Sequence, residues 1–166
     1  GGNMARLWSL GGLTAVAMAG AVAIGATLWA WGQPLICTCG YVRRWVGSVF
    51  SSGNSQHVAD WYTLSHIVHG MLVVLVGRAV PFRIDMRTLY AVAIVTGVGW
   101  EIVEHTEWVL GRFRATTLYQ GYIGDSVLNA VAGYLWMLGG FWFAALLRTW
   151  GILVAIATLE LAVRRR

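Results

Sequence analysis

An all-α bundle of transmembrane helices is the fold the sequence predicts: four spans plus a short C-terminal helix that either crosses as a fifth or lies at the interface. Three observations predict it. Of the 166 residues, 58% are hydrophobic and only 11% are charged, against about 25% charged in soluble domains. Four predominantly apolar runs, separated by polar turns, approach or exceed the roughly 20 residues that a ~30 Å hydrocarbon core requires. Several of the ten tryptophans, among them Trp29, Trp31, Trp61 and Trp108, sit at the ends of those runs, as interfacial belts demand.

The net charge of +5 comes from twelve basic residues, all arginine, against seven acids. The arginines lie between the apolar runs, which makes them topology and headgroup anchors and excludes a nucleic-acid surface. Two cysteines are too few for a disulfide framework. Gly1-Gly2-Asn3, ahead of Met4, is expected to be vector-derived. Residues 4–166 are expected to form one bundle, with spans near 7–31, 61–80, 88–108 and 123–147 and the short helix at 149–163.

Leu7 to Trp31 holds 25 residues without a charge, long enough to cross. It is too long for a signal peptide, and no clear small-residue cleavage site follows, so it is expected to be retained. Ala19, Gly20, Ala23 and Gly25 suit close helix contacts in lipid. The next connection, Gln33 to Asp60, carries Cys37-Thr38-Cys39, Arg43-Arg44, the turn Ser51-Ser52-Gly53-Asn54, and His57. The second span begins at Trp61 and contains Ser65, His66 and His69. An arginine-rich turn (Arg78, Arg83, Arg87) leads to the third, from Thr88 to about Trp108. A polar loop from Gly111 to Tyr122 follows, then a fourth span opening near Ile123 with Gly124-Asp125-Ser126. Thr149 to Val163 is short for a span and ends in three arginines.

The third run is the anomaly. Its end, Gly99-Trp100-Glu101-Ile102-Val103-Glu104-His105-Thr106-Glu107-Trp108, puts three carboxylates and an imidazole into a segment of bilayer length. On one helix, Glu101, Glu104, His105 and Trp108 fall at i, i+3, i+4 and i+7 and share a face. A charged side chain at mid-membrane costs roughly 2.5–3.5 kcal/mol on insertion scales, so such residues are site candidates by default. Because successive spans alternate in direction, the first and third loops share a side. All four histidines and five of the seven acids therefore gather at one membrane face. If Arg6, Arg78, Arg83, Arg87 and Arg148 count as cytoplasmic, against Arg43, Arg44, Arg112 and Arg114, that face is the outer one.

His66 and His69, at i and i+3, point one way on their helix. With Glu101, Glu104 or His105 they make the nitrogen and oxygen donor set that zinc or iron accepts. No His-Glu-x-x-His signature is present. Two alternatives stand beside the metal: the groups hydrogen-bond one another as interhelical glue, or the imidazoles hold a haem or pigment. Asp125 and Asn129 are at i and i+4 on the fourth helix and are expected to face the same cluster, with Asp125 in the first turn. Asp125 there would also complement the helix dipole. Gly-Asp-Ser has the look of a hydrolase nucleophile motif, but no strand precedes it, and three residues alone do not specify one. Cys37 and Cys39 could bind metal, form a strained bridge or stay free thiols; cysteines two apart rarely bridge each other, so metal-linked or inert thiols are expected. Arg112 and Arg114, beside Tyr119 and Tyr122, either clamp an anionic group or anchor headgroups.

Three long motifs, Ser51-Ser52-Gly53-Asn54-Ser55-Gln56-His57, Asp60-Trp61-Tyr62-Thr63-Leu64-Ser65-His66-Ile67-Val68-His69-Gly70 and Gly124-Asp125-Ser126-Val127-Leu128-Asn129, make the chain resemble a bacterial multi-pass membrane-protein family of unknown function. The resemblance extends to Ile36-Cys37-Thr38-Cys39-Gly40-Tyr41-Val42 and to Trp100-Glu101-Ile102-Val103-Glu104. It implies a fold and a bacterial inner-membrane location, not an activity. Three positions depart from the pattern it implies: Gly53 where Glu is expected, Gly133 where Asp is expected, and His105 where Asn is usual.

The reading that follows is an intramembrane His/Glu site near the outer face. Its metal ligands would come from His66, His69, Glu104 and His105, its acid–base groups from Glu101, Glu104 and Asp125, and its further polar groups from His57, Asn129, Arg112 and Arg114. The chemistry would be metal-assisted hydrolysis or transfer on a lipid or lipid-linked substrate, with a metal-activated water as nucleophile and a spare glutamate as base. A haem- or pigment-binding subunit and a non-enzymatic assembly protein are the rivals.

Overall fold

The computed structural model describes residues 2–116 and 122–165. Tyr119, with the middle of the expected polar loop, lies outside them. Among the described residues there are seven helices and no extended strand: α1 (Gly2–Leu7), α2 (Leu10–Ala30), α3 (Trp61–Ala79), α4 (Met86–Glu104), α5 (Glu107–Thr116), α6 (Val127–Leu146) and α7 (Thr149–Arg164). Four of them, α2, α3, α4 and α6, are long and apolar enough to cross a membrane. The protein is an all-α transmembrane bundle. At about 1.5 Å per residue, the 16 residues of α7 reach only some 24 Å.

Local chemistry sets the helix starts. Ser9 breaks the first run by accepting the Gly12 N–H at 3.0 Å, so α2 begins at Leu10 and not at Leu7. Asp60 and Thr63 cap α3 reciprocally, and Asp85 accepts the Thr88 N–H at the head of α4. Each of these caps satisfies an N–H that the first helical turn leaves orphaned.

The third span does not run to Trp108. The His105 ring Nδ1 donates to the Glu101 carbonyl at 2.7 Å, the acceptor that the backbone N–H of residue 105 would otherwise use. The helix stops at Glu104, His105 is its cap, and Glu107 opens a separate helix. Trp108 consequently leaves the face that carries Glu101 and Glu104. The fourth span also starts late, at Val127, because Ser126 is its N-cap and Gly124 holds a left-handed φ of 100°. Asp125 thus precedes the cap and is not in the first turn.

α6 is the central helix, packing on α2, α3 and α4. Its closest partner is α3, where the backbones nearly touch. A Cβ at Gly70 would collide with the Met137 carbonyl, and one at Gly140 with the Ile67 carbonyl. Such small residues are how membrane helices gain contact where water exclusion gives no drive. Tyr134, Phe141, Met137, Met71, Ile24 and Leu28 fill the apolar core beneath. α7 lies along α3 through the buried Ile152, and Arg78 donates from Nη1 to the Leu147 carbonyl at 2.8 Å, tying the end of α3 to the end of α6.

Candidate functional site

The connection between α2 and α3 folds over the start of α6 and is sewn to it. Val127 and Leu128 donate their N–H groups to the carbonyls of Pro34 and Leu35, at 2.8 and 3.0 Å. Gln33 and Gln56 donate to the carbonyls of Ile123 and Gly124. Ser126, fully buried, donates its hydroxyl to the Gln56 carbonyl and accepts the Asn129 N–H, while its own N–H goes to the Ser55 carbonyl. Its oxygen is a helix cap, not a free nucleophile. Asp60 Oδ2 accepts the Ser55 N–H at 2.8 Å and stands 3.5 Å from Asn129 Nδ2, which also donates to the His57 carbonyl at 2.6 Å. Ser55 is held at φ 60°, a left-handed value rare for a residue with a side chain, and these bonds on both its N–H and its carbonyl keep it there.

Beside this knot lies a cavity of about 420 Å³. α3 supplies Tyr62, Ser65, His66 and His69, α4 supplies Trp100 and Glu104, α5 supplies Phe113, and Tyr122, Asp125 and Asn129 close it. Glu101 is only 1% exposed, with Oε1 3.6 Å from His66 Nδ1. The Oε2 atoms of Glu101 and Glu104 are buried and meet no hydrogen-bond donor among the described residues. Asp125 accepts the Tyr122 hydroxyl at 2.7 Å, and its Oδ2 lies 3.6 Å from His105 Nε2. Glu101, Glu104, His105 and Asp125 offer ligand atoms that all lie within 4.8 Å of one another.

His105 is nonetheless committed. Its Nδ1 faces a carbonyl, which only accepts, so Nδ1 carries the hydrogen. Its Nε2 then accepts the Asp125 N–H at 3.1 Å. The ring is a strut between the end of α4 and the approach to α6, and it could ligate an ion only by releasing the Asp125 N–H. Burial pushes the Asp125 carboxyl above its ordinary range, with His105 and the Tyr122 hydroxyl pulling the other way. Burial, then the Asp125 charge, pushes the Tyr122 phenol up.

The other expected site residues fall in three places. His66 stands at the cluster, packed so closely on α6 that a Cβ at Gly133 would come 3.0 Å from its Nε2. His69 lines the same cavity, and neither of these two expected ligands belongs to the four-residue group. His57 is buried but turned away, stacked on Tyr41 in the first loop, where burial and then Arg43 lower its pKa. Arg112 sits over the Trp108 ring at 4.7 Å and Arg114 pairs loosely with the exposed Glu107, at 3.9 Å. Both mark the outside of α5, as headgroup anchors would. Cys37 and Cys39, expected to be metal-linked or free, are instead joined to each other in a disulfide. What the sequence reading missed is the knot: Gln33, Ser55, Gln56 and Asp60 were visible as polar loop residues, with no signal that they meet α6.

The model of a family described as "Protein of unknown function (DUF2585)" matches residues 28–165. The chain belongs to this family. Three curated relatives are similar along most of its length, all called UPF0314 protein. The one from Paracoccus denitrificans is 41% identical over 141 residues, covering 84% of this chain and 73% of its own. That from Sphingopyxis alaskensis is 42% identical, covering 81% and 72%. That from Rhizobium etli is 42% identical over 114 residues, covering 69% of this chain but only 58% of its own, so the chain spans little more than half of some family members. No solved structure matches. The region matched by the family contains the knot, the cavity and every residue of the carboxylate cluster.

Proposed function

We propose that the protein is a metal-dependent enzyme of the bacterial inner membrane, acting by hydrolysis or group transfer on a lipid or lipid-linked substrate. The observation that carries this reading is the pair of buried, unpartnered oxygens, Glu101 Oε2 and Glu104 Oε2, next to Asp125. A buried carboxylate without a cation or donor is costly. A divalent ion would satisfy both oxygens at once. Three carboxylates with an imidazole beside them are a hard-to-borderline donor set, suited to zinc, iron or manganese. Glu101, Glu104 and Asp125 would hold the ion, His66 would support Glu101, and His105 would position Asp125. When bound, such an ion supplies Lewis-acid polarisation and lowers the pKa of water.

The chain's own residues supply the rest. Tyr62, Trp100 and Phe113 give the cavity aromatic walls that accept an acyl or polyprenyl stem, and His69, Ser65 and Tyr122 offer polar groups to a headgroup. His66, whose Nδ1 faces Glu101, is the group best situated to take or return a proton. The arginine balance argues for an opening on the outer side.

Metal analysis of protein purified without chelator is the test. Wild type is expected to hold one or two ions per chain, and Glu101→Gln to hold none while keeping its helicity. Metal-free wild type, destabilised by the same substitution, would make the cluster a packing device. A Soret band would make it a haem site.

A further inference from the structure

A second reactive assembly lies in the first loop, outside the cavity. Cys37 and Cys39 form a disulfide across a separation of two residues. Closing so short a segment removes little chain entropy, so the bond is a poor staple. Its two sulfurs differ: Cys37 is buried and Cys39 is exposed. Each has its own N–H donor. The Cys39 backbone N–H donates to Cys37 Sγ at 3.2 Å. His57 Nε2 lies 3.9 Å from Cys39 Sγ. His57 Nδ1 accepts the Arg43 N–H at 3.1 Å, so the neutral ring must carry its hydrogen on Nε2, facing the sulfur. Stacking on Tyr41 at 5.6 Å holds the ring in that orientation.

The same three side chains have metal-ligand spacing, and two thiolates with an imidazole would suit a soft ion. That use needs a lone pair on Nε2, which the Arg43 bond denies. What the arrangement fits is a sulfur that becomes a thiolate beside an N–H.

We propose that Cys37–Cys39 is a redox-active couple that exchanges with an external dithiol through Cys39. A thiolate of the dithiol attacks the exposed Cys39 sulfur, forming a mixed disulfide and breaking the Cys37–Cys39 bond. The electron pair goes to Cys37 Sγ, which is stabilised by the Cys39 N–H and then takes a proton. The second thiol of the dithiol, as thiolate, attacks its own sulfur in the mixed disulfide and expels Cys39 as a thiolate facing His57 Nε2, which is protonated in turn. The couple gains two electrons and two protons, and the dithiol leaves as a disulfide.

The full chain in detergent, titrated with reduced and oxidised dithiothreitol and read by intact mass after thiol alkylation, gives the first test. The couple is expected to reduce reversibly under native conditions; a bond that opens only on unfolding would overturn the proposal. In Cys37→Ser, Cys39 is expected to form a mixed disulfide with oxidised glutathione. It is also expected to react with iodoacetamide at pH 7 about tenfold faster than in Cys37→Ser/His57→Phe, with its pH profile shifted to lower pH. Equal rates and coincident profiles would remove His57 from the mechanism and sink the idea. Stoichiometric Cu(I) or zinc retained by the reduced protein, with no mixed disulfide formed, would replace exchange with metal binding.

Discussion

Two polar clusters lie side by side at one end of the bundle and have been resolved in opposite ways. In the knot of Ser55, Gln56, Asp60, Ser126 and Asn129, buried groups find partners across more than sixty residues of chain. In the carboxylate cluster, Glu101 and Glu104 each keep a buried oxygen without one. A buried, satisfied network rigidifies, whereas an unsatisfied one costs stability. The knot is scaffold, and the cluster beside it is the site we propose.

The sharpest way to break that contrast is Asp60→Ala. It removes the cap of α3 and leaves the Ser55 N–H and part of the Asn129 amide unpaired. A loss of about 3 kcal/mol is expected, seen as earlier denaturant unfolding in detergent and not restored by added metal. Glu101→Gln should do the reverse. Metal-free protein should unfold within about 1 kcal/mol of wild type, because the Glu101 Oε2 has no hydrogen bond to lose among the described residues, while metal affinity falls at least tenfold. If Glu101→Gln cost as much stability as Asp60→Ala, both clusters would be scaffold.

The histidines offer a finer cut. His66, 3.6 Å from Glu101, should cost metal affinity about tenfold or more when changed to Ala. His69→Ala should cost less, with near-normal helicity in both. Equal losses would bring His69 into the ligand set. The smallest effects are in pH. The folded-state pKa of His57 is below its ordinary 6.5, so the unfolded chain binds more protons in that window. Its contribution is complete above pH 6.5 and is lost as pH falls through it. Asp125 is shifted upward from 3.8, so in metal-free protein its contribution declines as pH rises from about that value. Unfolding midpoints of His57→Gln and Asp125→Asn across pH 4 to 8 should lose these two slopes, of opposite sign.

How much of this was legible beforehand differs by kind. Hydropathy, arginine placement and the alternation of spans are local and additive along the chain. They alone determined that this is a four-span bundle, and that its four histidines and five of its seven acids gather at one end. They also made Glu101 and Glu104 conspicuous, since no apolar run tolerates them without reason. The tertiary structure decided which lone pairs remain free. The third span was expected to run through His105, yet the His105 ring reaches back to the Glu101 carbonyl and forward to the Asp125 N–H, ending the helix and using up the ligand. Asp125 was expected within the fourth helix, but Ser126 took the cap. His57 was expected with the other histidines, and stacking on Tyr41 turned it toward Cys39. Each outcome is a choice of hydrogen-bond partner between residues distant in sequence, and periodicity carries no information about such partners. The same polar residue is scaffold or site according to whether the fold brings it a donor.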